Sequence, residues 1–467
     1  MQFVGRENEL KKFEARYGSR GAELIFLYGR RRVGKTEFLR KFAEGKTPFF
    51  FSATESNDFE QRTRFRNEML SFGVDAEPAL LSDWQEIFRN LAKLKNNEGG
   101  KTVVIIDEFQ YMFVGDKAIP SVLQNQWDAY LSKANVMLIL CGSAMSFVEQ
   151  EVLGGKKPLY GRATAIFKMQ ELPFLDAIKF FPNYSSEEKI VAYSILGGVP
   201  YYLKQFSPDK SLFDNIKHNI LSSETILYNE IEFLLKQEFR EVATYNTIIS
   251  AIALGNTKLN EISQKTMIEG AKANVYIKNL IEIGVVAKDY SLLDTVKSEA
   301  NIRNGLFRIR NNFFRFWYRY VYPNKSEVER GHVDYLADAV YRSASVEHAS
   351  LVFEDICLEH IAKLNYTNIL PFRAKNIGKV WAKGLEVDIG AILDDNILLA
   401  ECKWTNAPVD LGVLKSLKEK TETHPNLVEY GKRYYFLFSK SGYTQGLLET
   451  ITTAPNVGVV ALDEIFE

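Results

Sequence analysis

Gly29-Arg30-Arg31-Arg32-Val33-Gly34-Lys35-Thr36 is the stretch from which this chain is best read. It fits G-x-x-x-x-G-K-[ST] without a mismatch. It lies between an apolar run, Leu24–Tyr28, and a helical stretch, Glu37–Phe42. Strand, glycine-rich loop and helix form the context in which such an octet closes around phosphates. Gly29 and Gly34 let the backbone bend, so that N–H groups along the loop, Arg30 and Val33 included, surround the anion. The helix N-terminus adds positive dipole there. Lys35 reaches the β- and γ-phosphates, and the Thr36 hydroxyl can ligate Mg²⁺. A chance glycine turn would lack the flanking strand and helix.

Working outward, three more apolar runs share the character of Leu24–Tyr28: 49–51, 103–106 and 136–140. Each is short, apolar on both faces, and followed by a turn or a polar residue. That pattern predicts buried parallel strands in an α/β sheet. The run 103–106 ends in Asp107-Glu108, which puts Asp107 near the metal and leaves Glu108 to orient or deprotonate water. Paired with the loop, these acids favour ATP hydrolysis over binding alone. The next run ends Leu140-Cys141-Gly142-Ser143, and Ser143 is the candidate γ-phosphate sensor; a plain strand-end turn is the alternative.

The chain has 467 residues, enough for about three domains, with Lys+Arg 58 against Asp+Glu 59. That balance excludes a globally basic nucleic-acid binder but not a local basic patch. Hydrophobic residues at 46% exclude a mainly disordered chain. No apolar run approaches the ~18 residues that span a bilayer. Cys141, Cys357 and Cys402 are scattered and odd in number, so neither a disulfide frame nor a metal knuckle is expected. The start of the chain is charged, unlike a signal peptide. A cytoplasmic protein with no membrane partner is the expectation.

Four domains are expected: an ATPase core over 1–165, a helical lid over 166–240, a third unit over 241–323 and a C-terminal domain over 331–467. In the third unit, helical stretches near 245–254, 258–264 and 271–283 precede strands at 285–288 and 306–309. That is a winged-helix pattern. Its third helix offers Lys272, Asn274, Tyr276 and Lys278 for DNA; a purely interdomain role is equally open. The charged stretch Asn324 to Arg330 reads as a linker.

In the C-terminal domain, 379–391 reads as a strand, a bend and a second strand. A turn at Asp394-Asp395-Asn396 returns the chain as 397–404. Strand alternation puts Glu401 and Lys403 on one face and Cys402 on the other. If the strands pair, Asp388 comes close to Glu401. Carboxylates near a core are costly without a partner. A divalent Mg²⁺ or Mn²⁺ held by Asp388 and Glu401 would satisfy them, with Lys403 orienting water or stabilising charge at phosphorus. A structural ion pair on an edge strand is the bland alternative.

Six boxes together resemble the archaeal ATPase family, within the AAA+ and STAND-type P-loop ATPases: 3–10, 29–36, 107–108, 141–143, Leu159-Tyr160-Gly161-Arg162 and Gly197-Gly198-Val199-Pro200. The resemblance covers roughly 1–240 and implies a five-stranded core with a helical lid. It implies ATP and Mg²⁺, with Gly5 and Arg6 in an adenine-side box and Gly198 and Pro200 by the base or sugar. It also implies that Arg162 lies near a γ-phosphate, in the same chain or in a neighbouring copy of a homo-oligomer. Residues 331–467 resemble the DUF234 domain and, through Asp388 and Glu401-x-Lys403, the PD-(D/E)xK nuclease superfamily. A restriction-endonuclease-like α/β fold is implied, with Glu354 as a further metal-site acid. Val387 departs from that superfamily, in which proline often precedes the acid. Three functions remain open: an ATP-regulated nuclease acting on DNA, a STAND-type switch whose C-terminal domain only binds, and an ATPase working on a protein partner.

Overall fold

The structure, a computed structural model, describes residues 3–74, 81–94, 99–143, 154–155, 157–297 and 305–467. The chain divides into two compact units, Met1–Leu172 with Val199–Tyr201, and Pro173–Gly198 with Tyr202–Glu467.

The first unit is a five-stranded parallel sheet of order β2-β3-β4-β1-β5. Its strands are β1 (Glu23–Tyr28), β2 (Phe49–Ser52), β3 (Thr102–Asp107), β4 (Val136–Gly142) and β5 (Ala165–Lys168). Every residue of β1, β3 and β4 is buried, as strands covered on both faces require. Phe13, Phe38 and Phe42 of the helices Glu7–Tyr17 and Lys35–Ala43 pack on one face. Phe65, Phe88 and Trp127, from helices Asp58–Phe72, Trp84–Asn90 and Ile119–Ala129, pack on the other. The α/β parallel sheet is therefore as the apolar runs led one to expect. β5 begins at Ala165, where the core was expected to end, and alternates half-buried with exposed positions.

In the second unit, a short helix Phe174–Ala177 precedes the helices Ser186–Leu196, Leu212–Asn219 and Ile226–Glu238. Three more follow, Val242–Ala253, Leu259–Thr266 and Gly270–Glu282, and then the antiparallel pair β6 (Val286–Asp289) and β7 (Leu306–Ile309). The helix Leu292–Lys297 lies between those strands, and its Leu292 and Leu293 are buried in the core of the C-terminal sheet, with Val380, Leu385 and Val387. Trp381 N–H donates to Ser291 Oγ at 3.1 Å. The stretch expected as a linker is instead packed helix, Lys325–Glu329. Val328 is buried, Lys325 pairs with Glu232, and Tyr228 donates to Glu329 at 3.1 Å. Lys325 and Glu329 of this stretch therefore bond to the helix Ile226–Glu238.

The C-terminal sheet has the order β12-β11-β10-β9-β8. β8 (Asn376–Ala382), β9 (Leu385–Leu393) and β10 (Asn396–Lys403) run antiparallel in sequence, while β11 (Lys432–Ser439) and β12 (Val457–Ala461) extend the sheet in parallel. Leu414, Leu417 and Leu447, from helices Leu411–Glu422 and Gln445–Thr452, pack with Ile397 and Leu399. The helix Ala349–Tyr366 meets β10 and its continuation through Phe353, whose ring centroid lies 5.0 Å from that of Trp404.

Candidate functional site

β1 delivers the octet at the C-terminal edge of the first sheet, and the helix Lys35–Ala43 begins within it. Gly34 caps that helix at φ 92°, in the left-handed region that favours glycine. A Cβ on Gly29 would stand 2.3 Å from the Met169 carbonyl oxygen, so no larger residue fits there. Lys35 is buried, and its Nζ donates to the Gly29 and Arg30 carbonyls at 2.9 and 3.1 Å. Burial pulls its pKa down, against the pull of Cys141, Glu108 and Asp107. An ammonium so desolvated gains from a phosphate beside it.

Asp107 ends β3 and is buried. Its Oδ2 accepts from Thr36 Oγ1 at 2.8 Å, and its Oδ1 accepts from Glu108 N–H at 2.9 Å. The two side-chain oxygens of Thr36 and Asp107 thus already face each other, a hard donor pair that suits Mg²⁺. Glu108 adopts a left-handed φ of 52°, which turns it out of the strand direction. Its Oε2 accepts from Ser143 Oγ at 2.7 Å and from Gln110 Nε2; Gln110 Nε2 also donates to Ser143 Oγ at 3.2 Å. Gln110 was not singled out from sequence. It lies two residues past the acid, in a short 3₁₀ turn with no motif of its own.

Arg6 is buried, and its guanidinium donates to the carbonyls of Val33, at 3.3 Å, and Gln170. It ties the N-terminal segment to the back of the loop. Gly5, before it, is left-handed at φ 71°. Pro200 Cγ lies 3.7 Å from where a Gly34 Cβ would stand, so Pro200 lines the loop; Gly198 precedes it by two positions. Arg30 pairs with Glu171 at 3.5 Å, Arg31 donates to Tyr111 at 3.2 Å, and Arg32 sits 4.2 Å over the Tyr201 ring. Arg162 pairs with Asp128 through two hydrogen bonds, of 3.3 and 3.0 Å. It stands just before β5, whose Ala165 pairs with Ile25, whereas the octet leaves β1 after Tyr28. Arg162 is therefore at the opposite end of the sheet from its own chain's Lys35. A contact with a phosphate in the same chain does not fit this geometry.

In the second unit the β9–β10 pairing ends at Ile389↔Ala400, and the next residues along are Asp388 and Glu401. There the Asp388 carboxylate accepts the Cys402 N–H at 2.7 Å. Burial, then the charges of Glu401 and Glu354, raise Asp388 to about 7. Glu401 is held on both oxygens, by Lys403 at 2.7 Å and by Lys420 at 2.8 Å. Burial opposes ionisation of Glu401, but those two lysines prevail and lower its pKa. Lys420, on the helix Leu411–Glu422, was not foreseen: nothing in its local sequence marks it. Glu354 differs from expectation, because Lys379 takes its carboxylate at 2.8 Å and Asp355 at 3.3 Å. Among the described residues no group of three or more His, Cys, Asp or Glu is gathered as a metal cage. Tyr276, offered as a DNA contact, is buried with its hydroxyl on Glu241, so it cannot reach a base; the helix leaves Lys272 and Lys278 exposed.

The model of an ATPase domain predominantly from Archaea matches residues 3–206, and that of DUF234, archaeal and bacterial proteins of unknown function, matches 317–422. An uncharacterized protein of Methanocaldococcus jannaschii is 33% identical over 407 residues, 86% of this chain and 87% of that one. The chain belongs to the archaeal ATPase family. This chain carries the ATPase domain at the N-terminal side and DUF234 at the C-terminal side. An uncharacterized ATP-binding protein of the same organism is 50% identical over 46 residues, 10% of this chain and 78% of that protein. Among solved structures, the Walker-type ATPase of Pyrococcus abyssi superposes with a TM-score of 0.53 at 20% identity, covering 68% of this chain and 96% of that one. At that identity the likeness speaks to the fold. The archaeal ATPase assignment accounts for the loop, the parallel sheet and the acids at the end of β3. Among the described residues no helix is long and apolar enough to cross a membrane.

Proposed function

We propose that this ATPase hydrolyses Mg·ATP at the Gly29–Thr36 loop and that its C-terminal domain cleaves DNA with the help of a divalent cation. At the first site Thr36 and Asp107 hold Mg²⁺, which when bound neutralises charge on the β- and γ-phosphates. Lys35 leaves the loop carbonyls for phosphate oxygens. Glu108, fixed by Ser143 and Gln110, orients the attacking water. Arg162, remote from its own loop, serves the nucleotide of a neighbouring copy of the chain.

For the C-terminal domain, the observation that carries the reading is the meeting of Asp388 with Glu401 where β9 and β10 part, with Lys403 on Glu401. Burial first, and then repulsion between two carboxylates so placed, raise Asp388, and oxygen donors of this kind suit Mg²⁺ or Mn²⁺. Plasmid DNA incubated with the protein and Mg²⁺ or Mn²⁺ is expected to be nicked, and Asp388→Ala to abolish nicking. Nicking undiminished in Asp388→Ala, or none by the wild type under either cation, contradicts a nuclease. A second reading, DNA binding without cleavage, is favoured by Glu354, which is spent on Lys379 and leaves only two acids for a cation. The three-helix unit with β6 and β7 reads as a winged helix. The seating of Leu292 and Leu293 in the C-terminal core favours an interdomain role for its wing.

A further inference from the structure

Glu401 is unusual in having one lysine on each oxygen. Lys403 reaches Oε1 from two positions along β10, and Lys420 reaches Oε2 from the helix Leu411–Glu422. The carboxylate is 13% exposed, whereas the lysine side chains are 34% and 31% exposed. One ammonium suffices to neutralise one carboxylate. Fixing a second lysine costs further rotamer entropy, yet the second ammonium stands on the same carboxylate, and both lysine side chains stay partly open to solvent. A carboxylate and a phosphate each present two oxygens on one central atom at similar spacing. Two ammoniums fixed one to each oxygen therefore suit either anion.

We propose that Lys403 and Lys420 form a two-ammonium clamp for a phosphodiester of DNA, and that Glu401 occupies the place of that phosphate in the free protein. The inference rests on the C-terminal reading above and adds to it a residue from a separate element, together with a built-in competitor. Glu401 exchanges with the incoming phosphate, so the clamp is charge-compensated when empty and still ordered for its ligand. Each ammonium that transfers to phosphate releases a counterion from DNA, which makes the contact visible in the salt dependence.

The test is fluorescence anisotropy of a labelled DNA duplex with the full-length protein in EDTA, across a range of salt concentrations. Lys420→Gln is expected to bind at least fivefold more weakly and to lose about one unit of the log–log salt slope. Lys420→Arg should keep most of the affinity, and Lys415→Gln, an exposed position on the same helix, should change it far less. Glu401→Gln uncaps the clamp and should bind severalfold more tightly. Thermal melting by circular dichroism checks that each variant folds. An unchanged affinity and slope in Lys420→Gln, or weaker binding in folded Glu401→Gln, overturns the clamp while leaving DNA binding intact. A wild-type protein that binds no duplex overturns both the clamp and the DNA reading on which it rests. Displacement of the duplex by inorganic phosphate at equal phosphate concentration would assign the clamp to a small phosphate instead, and would also overturn it.

Discussion

Lys35 and Glu108 stand on the two sides of the proposed nucleotide site, and each suggests its own experiment. Lys35 now spends its charge on two loop carbonyls, so Lys35→Ala removes a charge-assisted phosphate contact worth about 1.5–3 kcal/mol. Calorimetry should read a tenfold or greater loss of ATP affinity; affinity equal to wild type would move the site elsewhere. Glu108 is different, because its carboxylate is fixed by Ser143 and Gln110 rather than by a cation. Glu108→Gln should bind ATP normally and hydrolyse it on the order of 10²-fold more slowly, as loss of a positioned base predicts. Ser143→Ala or Gln110→Ala should lower kcat by a smaller factor with KM little changed, since each acts by holding Glu108. A loss confined to KM would assign them to binding. The octet and the two acids were readable in sequence because each is a contiguous motif. Gln110 and Lys420 were not, because their roles exist only through contacts made by folding.

At the scale of elements, legibility followed burial. β1, β3 and β4 are buried throughout and stood out as apolar runs. β5, an edge strand with alternate residues exposed, did not, and came only through family likeness. Between β6 and β7 the sequence offers no comparable apolar run, yet Leu292 and Leu293 there are core residues of another sheet. Removing either side chain leaves a cavity, so Leu292→Ala should destabilise the protein by about 2–4 kcal/mol in urea unfolding. An effect below about 0.5 kcal/mol would show that the segment merely rests there. His348 makes a second element-scale prediction. It is buried between helices, its Nε2–H donates to the Ser194 carbonyl at 2.8 Å, and its ring packs against Phe316 and Tyr320. Burial, then the charge of Arg315, pushes its pKa down to about 3. Between about pH 6.5 and 3 the unfolded chain binds the proton and the folded chain does not. This group's stabilising contribution is therefore complete above pH 6.5 and falls as pH drops, by about 1.4 kcal/mol per unit. His348→Gln, which keeps a donor for Ser194, should flatten that slope between pH 6.5 and 4.5. An unchanged slope would mean that His348 is protonated in the fold.

At the scale of the whole molecule, the proposal that Arg162 serves a neighbouring copy of the chain can be tested. Its guanidinium is held by Asp128 in front of β5, and the Gly29–Thr36 loop leaves β1 at the other end of the same sheet. A side chain cannot span a sheet lengthwise to its own phosphates. An adjacent molecule, however, can present its loop to this edge, where the planar donor fork would face charge developing at the γ-phosphate. In that arrangement Asp128 would be a placeholder that the phosphate displaces. ATP hydrolysis per molecule should consequently rise with protein concentration in the wild type, because dilution separates the arginine from the nucleotide it serves. Arg162→Ala should hydrolyse slowly at every concentration. Mixing it with Lys35→Ala should restore part of the activity, since the first variant supplies an intact loop and the second an intact arginine. Activity that is independent of concentration in the wild type, or no recovery on mixing, would place the arginine outside the reaction and return Arg162–Asp128 to an ion pair that fastens β5 to the helix Ile119–Ala129.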